Sequence, residues 1–362
     1  MRALYFLSFV VIMLSLKCSS DENIKSVINK SNKEHVIMKF NSHDINIKFS
    51  FNSIDNEISK RKWKTIHSSL LFKLGGIEDT IFKLPITIKT DADQNIYVLD
   101  MLDKAVLKFN KTGEFIKKFG RIGKGPGEFL FAQGFDVFDD GKIVVADPNN
   151  NKITVFDDGK VIEYKCRLGP LKVSFASSNE VVIFQMLEPI FTSPIRKINF
   201  INKTIIDYQN ILNRDSFGDK VYGVMPFLIG DVLRYKNNYT VYTLRVLNYV
   251  VVFTDKGKID KAFKMIDDGI DLRQVSIEKF SNKKNYIKTS VDRDDLFICK
   301  KINQKKKNKF VIDVFSIPKG KYKYSFPINN FGNIQSIQFV NNRMYIIREN
   351  TEINVYNYNI IK

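Results

Sequence analysis

The feature that most constrains this chain is an internal repeat. "DQNIYVLDMLDKAVLKF" from Asp93 and "DGKIVVADPNNNKITVF" from Asp140 superpose without a gap. Asp93 falls on Asp140, Ile96 on Ile143, Val98 on Val145, Asp100 on Asp147 and Phe109 on Phe156, at a constant offset of 47 residues. Apolar residues alternate inside each copy, as they do in strands, and "DDGK" at 139–142 and "DDG" at 157–159 supply tight turns. Glycine is suited to such turns because they require positive φ. A fixed period in this range marks an array of supersecondary units stacked on one another.

Weaker copies continue downstream. "SNEVVIF" (178–184) with "IRKINFINKTI" (195–205), "NNYTVYTLRVLNYVVVFTDKGKI" (237–259), "RDDLFICKKINQKKKNKFVIDVFSIPKGK" (293–321) and "NNRMYIIRENTEINVYNYN" (341–359) each carry two strands and a turn. The aromatic before each turn gives six landmarks: Phe109, Phe156, Phe200, Phe253, Phe315 and Tyr356. "SHDINIKFSFNS" and "WKTIHSSLLFKL", which precede the first clear copy, are expected to complete a ring and begin its first blade. A lone four-stranded blade has an apolar face on each side and can bury neither. Radial stacking covers both, and closure leaves only short edges. The expected fold is therefore all-β, a six-bladed β-propeller. A pair of β-sandwiches would also show regular strands, but not the gapless 47-residue match. No convincing helical period follows the first residues.

The amino-terminal residues read as an address. "MRALYFLSFVVIMLSLKC" has one cation, Arg2, then an apolar run from Ala3 to Leu16, which suits a secretory signal better than a bilayer span. Cys18 follows, with a polar stretch behind it. The expected organisation is a signal peptide of lipoprotein type at 1–17, a polar tether at 18–36 and a single propeller domain at 37–362. This leader resembles the lipobox of bacterial lipoproteins, which implies lipidation of Cys18, although Lys17 stands where a small residue is usual. The remaining cysteines, Cys166 and Cys299, lie within apolar alternation and read as small buried hydrophobes rather than as a metal cluster.

Lysine and arginine outnumber the acids by 57 to 39, a formal charge of +18. Such an excess favours anionic partners. Its joint enrichment with Asn and Ile is also what an AT-rich coding sequence produces without selection for binding. Lys305, Lys306 and Lys307 form the one dense cluster and are the candidate polyanion contact. They have no interleaved aromatics, so base stacking has no support and nucleic acid is not expected.

"FGRIGKGPGEFLFAQGFDVFDDGKIVVADPNNNKITVFD" resembles an NHL repeat, with its F-G, its glycine-rich turn, its V-A-D-x-x-N-x-K phrase and its closing aromatic. Together with the leader, it is similar to the six-bladed propeller lipoproteins common in Bacteroidetes-type bacteria. The resemblance is specific from about Ile86 to Lys160. It implies an extracytoplasmic, membrane-anchored protein, facing the periplasm or the cell exterior.

The repeat residues themselves read as structural. Gly123, Gly125 and Gly127 mimic a phosphate cradle, but the chain runs on into a strand, not the helix that a nucleotide site needs. They are expected to shape an inter-blade crossing. Asp100 and Asp147, with Asn149–Asn151, suit turns in which short polar side chains satisfy backbone N–H groups, and Phe109 and Phe156 close the repeats. No catalytic set and no cofactor motif is visible, so the favoured function is a binding or scaffold module for a protein, peptide or envelope glycan. The alternative is a divalent-cation-dependent hydrolase or lyase of the gluconolactonase kind, with an oxygen-ligated ion such as Ca²⁺ in the channel. The three histidines, His35, His43 and His67, all precede the first clear repeat and give that alternative no obvious base.

Overall fold

A computed structural model describes residues 26–27, 35–40, 43–56, 60–76, 81–185, 193–212, 228–236, 239–244, 247–266, 286–304, 307–328, 331–332, 334–348 and 351–361. The expected signal peptide, Cys18 and most of the expected polar tether lie outside these residues, as do Lys305 and Lys306. Lys307 opens a strand whose side chain there is not described.

Six antiparallel sheets follow one another along the chain. Blade 1 comprises Pro85–Thr90, Ile96–Asp100, Ala105–Phe109 and Phe115–Phe119. Blade 2 comprises Gly134–Val137, Ile143–Asp147, Lys152–Asp157 and Lys160–Lys165. Blade 3 comprises Pro170–Ser177, Glu180–Gln185, Ile195–Asn199 and Ile205–Asp207. Blade 4 comprises Gly230–Tyr235, Tyr239–Leu244, Tyr249–Thr254 and Ile259–Lys264. Blade 5 comprises Tyr286–Asp292, Asp295–Gln304, Lys307–Ser316 and Lys321–Pro327. Blade 6 takes Ile334–Val340, Arg343–Arg348 and Ile353–Ile361 from the carboxyl end and its outermost strand, Thr65–Leu74, from the amino end.

The six aromatic landmarks occupy one position in this scheme. Five lie on the third strand of a blade, and Phe200 directly follows the third strand of blade 3. "WKTIHSSLLFKL" completes the ring by joining the last blade, where Thr65 pairs with Ile361 and Leu74 with Ile353. Blade 1 starts only at Pro85. Residues 35–40 and 43–48 form a separate small sheet with Ser26–Val27, so the ring itself occupies 65–361.

The core is divided as radial stacking demands. Each of six buried apolar clusters joins two adjacent blades. Val98 and Tyr345 meet between blades 1 and 6, and Leu99 and Phe135 between blades 1 and 2. Val144 and Phe175 share a cluster between blades 2 and 3, and Phe184 and Tyr242 between blades 3 and 4. Val250 and Ile298 join blades 4 and 5, and Phe297 and Phe339 join blades 5 and 6, the last two with rings stacked at 4.7 Å. Each buried Phe or Leu contributes about 2 kcal/mol through lost apolar contact with water, and no blade could collect that contribution alone.

An amino-terminal strap runs around the outside of half the ring. Phe49 and Phe51 pack against Tyr249 of blade 4 at 5.0 and 5.7 Å. Ser53–Ile54 then adds a parallel strand to that blade's outer edge. Asn56 donates to the carbonyls of Lys264 and Gly320, both at 3.0 Å, and so bridges blades 4 and 5. On blade 5, Ser325 exchanges backbone hydrogen bonds of 2.8 Å with Lys62 and Lys64. Arg61 reaches inward to the fully buried Asp313, with Nε at 2.9 Å and Nη2 at 3.2 Å. Ser325 Oγ also donates to Asp313, at 2.6 Å. The strap then becomes the closing strand of blade 6.

Candidate functional site

Because strands within a blade are antiparallel, the turns after the first and third strands emerge on one face of the ring, and the blade-to-blade crossings on the other. The six innermost strands surround a channel with a cavity of about 220 Å³. Its polar groups come from every blade, and most are engaged between blades. Lys89 of blade 1 pairs with Asp136 of blade 2 at 2.8 Å. Asp136 also accepts from Ser174 Oγ at 2.7 Å and the Phe175 N–H at 2.9 Å, both on blade 3. Burial disfavours the Asp136 carboxylate, but the Lys89 ammonium and these hydrogen bonds outweigh it and hold its pKa below the usual range. Asp231 of blade 4 accepts from Thr289 Oγ1 of blade 5 at 2.9 Å, and the Phe339 N–H of blade 6 donates to Ser290 Oγ at 3.1 Å. Lys288 of blade 5 reaches Thr87 of blade 1 at 3.4 Å. Gln133 and Gln338 are among the residues lining this cavity, and the Oε1 of each is buried without a hydrogen-bond partner.

The mouth on the turn face is charged. Arg234 of blade 4 grips Asp139 of blade 2 with two bonds, 2.5 and 3.1 Å, and its guanidinium lies 4.7 Å from the centre of the Phe138 ring. Beside it, Asp294 accepts from Tyr235 Oη at 2.5 Å and pairs with Lys236 at 2.9 Å. The Tyr235 hydrogen bond, followed by that from Lys236, keeps the Asp294 carboxyl below its ordinary pKa. Asp139, Arg234, Lys236, Arg293 and Asp294 thus border one depression beside the channel. Nothing in the repeat marks these residues. Lys89 and Asp136 even stand 47 residues apart, at equivalent positions, with opposite charge.

The residues picked out from the repeat lie elsewhere. Asp100 and Asp147 are fully buried at the ends of the second strands of blades 1 and 2, and each organises a cage of backbone donors. Asp100 accepts from the N–H groups of Lys83, Leu84, Leu102 and Asp103 at 2.6–3.1 Å. Asp147 accepts from Leu130, Phe131, Asn149 and Asn150 at 2.8–3.2 Å, and from Asn150 Nδ2 at 2.8 Å. Every backbone donor of one cage is 47 residues from its counterpart. Asn151 adopts φ +48° and ends the short 3₁₀ turn Pro148–Asn150. Phe109 and Phe156 pack on their neighbours' aromatic rings, Phe82 at 5.6 Å and Phe119 at 5.5 Å.

Gly123, Gly125 and Gly127 lie on the crossing from blade 1 to blade 2. A Cβ on Gly123 would stand 2.0 Å from the Glu128 carboxylate, which accepts the Gly125 N–H at 2.9 Å. Gly127, at φ +70°, donates its N–H to Glu163 at 3.3 Å. His67 lies on the outermost strand of blade 6, remote from the inner strands, and His35 and His43 belong to the separate sheet. Cys166 and Cys299 are buried free thiols, and burial pushes that of Cys166 up to about 12. Among the described residues, no three His, Cys, Asp or Glu side chains gather closely enough to hold a metal ion.

Six sheets of four strands, the fourth extended by the short strap strand Ser53–Ile54, stack radially about a common channel, and the last is completed by the amino-terminal strand. The chain is a six-bladed β-propeller. A family described as 6-bladed beta-propeller, DUF5128, matches residues 56–187, from the strap to blade 3. Among solved structures, the propeller is similar to a Bacteroides fragilis protein described as exported, with 16% identity and a TM-score of 0.58 over 86% of this chain and 99% of that one. It is similar to a DUF4221-family protein of Bacteroides vulgatus, with 12% identity and a TM-score of 0.60 over 82% and 99%. It also resembles a streptogramin B lyase, with 12% identity and a TM-score of 0.51 over 81% and 98%. At these identities the likeness is one of fold. No curated protein matches the chain. No described helix of the propeller is long and apolar enough to cross a membrane.

Proposed function

We propose that the propeller is an extracytoplasmic, lipid-anchored binding or scaffold module that takes a protein, peptide or envelope glycan at the turn-face mouth of its channel. The observation that carries this reading is the charged depression at that mouth, bordered by Asp139, Arg234, Lys236, Arg293 and Asp294. Its Arg234–Asp139 and Lys236–Asp294 pairs present both signs of charge, able to orient a polar ligand. Likeness to a protein described as exported supports the extracytoplasmic location, and the leader ending at Cys18 supports the anchor.

The test is a pull-down from the native envelope with the wild-type propeller and with Arg234→Ala as baits. The variant removes a two-bond ion pair at the rim and is expected to weaken capture about tenfold, as loss of a binding hot spot does, while leaving the fold intact. Robust turnover of lactones, esters or glycosides by the purified protein would overturn the reading in favour of a metal-dependent propeller hydrolase. Calorimetry with Ca²⁺ separates the two further. The carboxylates Asp136 and Asp231 already serve as inter-blade hydrogen-bond acceptors, and titration is expected to give neither heat nor a thermal shift.

A further inference from the structure

We propose that the outer edge of blade 1 and the crossing that follows it form a docking surface for an anionic lipid bilayer. The surface is built from Phe115–Phe119, Arg121–Gly127 and the adjoining outer strand of blade 2. Four large apolar side chains stand in solvent here: Ile122 is 73% exposed, Phe115 51%, Ile116 50% and Val161 42%. They lie along one stretch of surface: Phe115 and Ile116 on the outer strand, Ile122 on the crossing that follows it, and Val161 against Gly127 of that crossing. Cations surround them. The stretch 111–125, "KTGEFIKKFGRIGKG", holds five basic residues and one acid. Lys118 is paired with Asp103, and Arg121 with Glu128 at 2.9 Å. Among the described residues, no carboxylate pairs with Lys117, Lys124 or Lys160.

Scattered apolar residues on a surface need no explanation, but the support beneath Ile122 does. The fully buried Lys152 donates to the Gly125 carbonyl at 2.9 Å and pairs with Glu163, which also accepts the Gly127 N–H. A buried ammonium is expensive unless paired, and this one is spent on holding the crossing in shape. The crossing just after Ile122 is thereby pinned, and Ile122 itself pairs in a short parallel bridge with Phe129. Apolar side chains at the acyl boundary, ringed by lysines at headgroup level, are the arrangement that binds anionic membranes. A protein partner adding a strand to this edge is disfavoured, because Lys117 and Lys118 lie on it and exposed lysines oppose edge pairing.

Cosedimentation with vesicles tests the proposal, using the chain from Ser26 onward, which contains every described strand. Vesicles of phosphatidylcholine with about a third phosphatidylglycerol are expected to carry the protein down at low salt and release it at moderate salt. Pure phosphatidylcholine vesicles are expected to leave it in solution. Lys117→Glu and Lys124→Glu should each weaken binding about fivefold or more, the worth of one cation near such a surface. Ile122→Glu should weaken it several-fold, and all three variants should keep the wild-type melting temperature because the side chains are exposed. Equal binding to both vesicle types, indifference to the lysine variants, or failure of the folded protein to sediment would overturn the proposal. If the same variants instead abolish binding of a purified protein, the surface is a protein interface. Arg234→Ala should leave vesicle binding unchanged, so failure at the channel mouth and failure here are distinguishable.

Discussion

Replacing Asp147 with alanine is expected to destabilise the propeller by about 4 kcal/mol, since each buried donor left unsatisfied costs about 1–3 kcal/mol. The carboxylate is fully buried and takes hydrogen bonds from four backbone N–H groups. Two of these belong to the crossing that enters blade 2 and two to the turn after its second strand. Alanine removes every acceptor at once, and the cage is too enclosed for water to replace them all. Asparagine retains one carbonyl oxygen and should lose about half as much. Asp100→Ala should behave like Asp147→Ala, because its cage is built from the same positions one repeat earlier. The exposed Asp93 serves as a control, with an expected change within about 0.5 kcal/mol on replacement by alanine. Urea unfolding followed by far-UV circular dichroism measures these differences. A loss below 1 kcal/mol for Asp147→Ala would show that the cage does not hold the blades in register.

Arg61→Ala is expected to cost about 3 kcal/mol, the usual penalty for removing one partner of a buried ion pair. Asp313 is fully buried and keeps only the Ser325 hydroxyl at 2.6 Å and the Lys300 ammonium at 3.7 Å once the guanidinium is gone. The pair joins residues 252 positions apart, so its loss loosens the strap rather than blade 5. Limited trypsin digestion should accordingly cut the variant at Lys60, Lys62 or Lys64 well before the wild type, with the blades intact. If the variant unfolds only globally, with no early cut in the strap, strap and ring form one cooperative unit and the strap is not separately held.

The ring was legible because its physics repeats. Glycine turns, alternating strands and one aromatic per unit recur at a period that only stacked blades explain, and Asp100 and Asp147 stand out because their donors recur with them. The strap was not legible. Phe49, Asn56 and Arg61 hold blades 4 and 5 through contacts that occur once in the chain, so no periodicity connects them, and their partners lie about 200 or more residues downstream. The channel escaped for a related reason. Lys89, Asp136 and Asp231 sit on innermost strands, where the backbone scheme is shared but the side chains are free to differ. Gln133 and Gln338 carry no signal at all until the six strands converge around them.

Pairing Thr65–Leu74 with Ile353–Ile361 also fixes when the molecule can finish folding. During synthesis, the first of these segments leaves the ribosome almost three hundred residues ahead of the second and has no edge to join until the tail arrives. Early blades can assemble in sequence, but the clasp shuts last and draws both ends of the ring together, against the entropy of a very long loop. A lock whose key is made at the end keeps the ring open until the whole chain is available to close it.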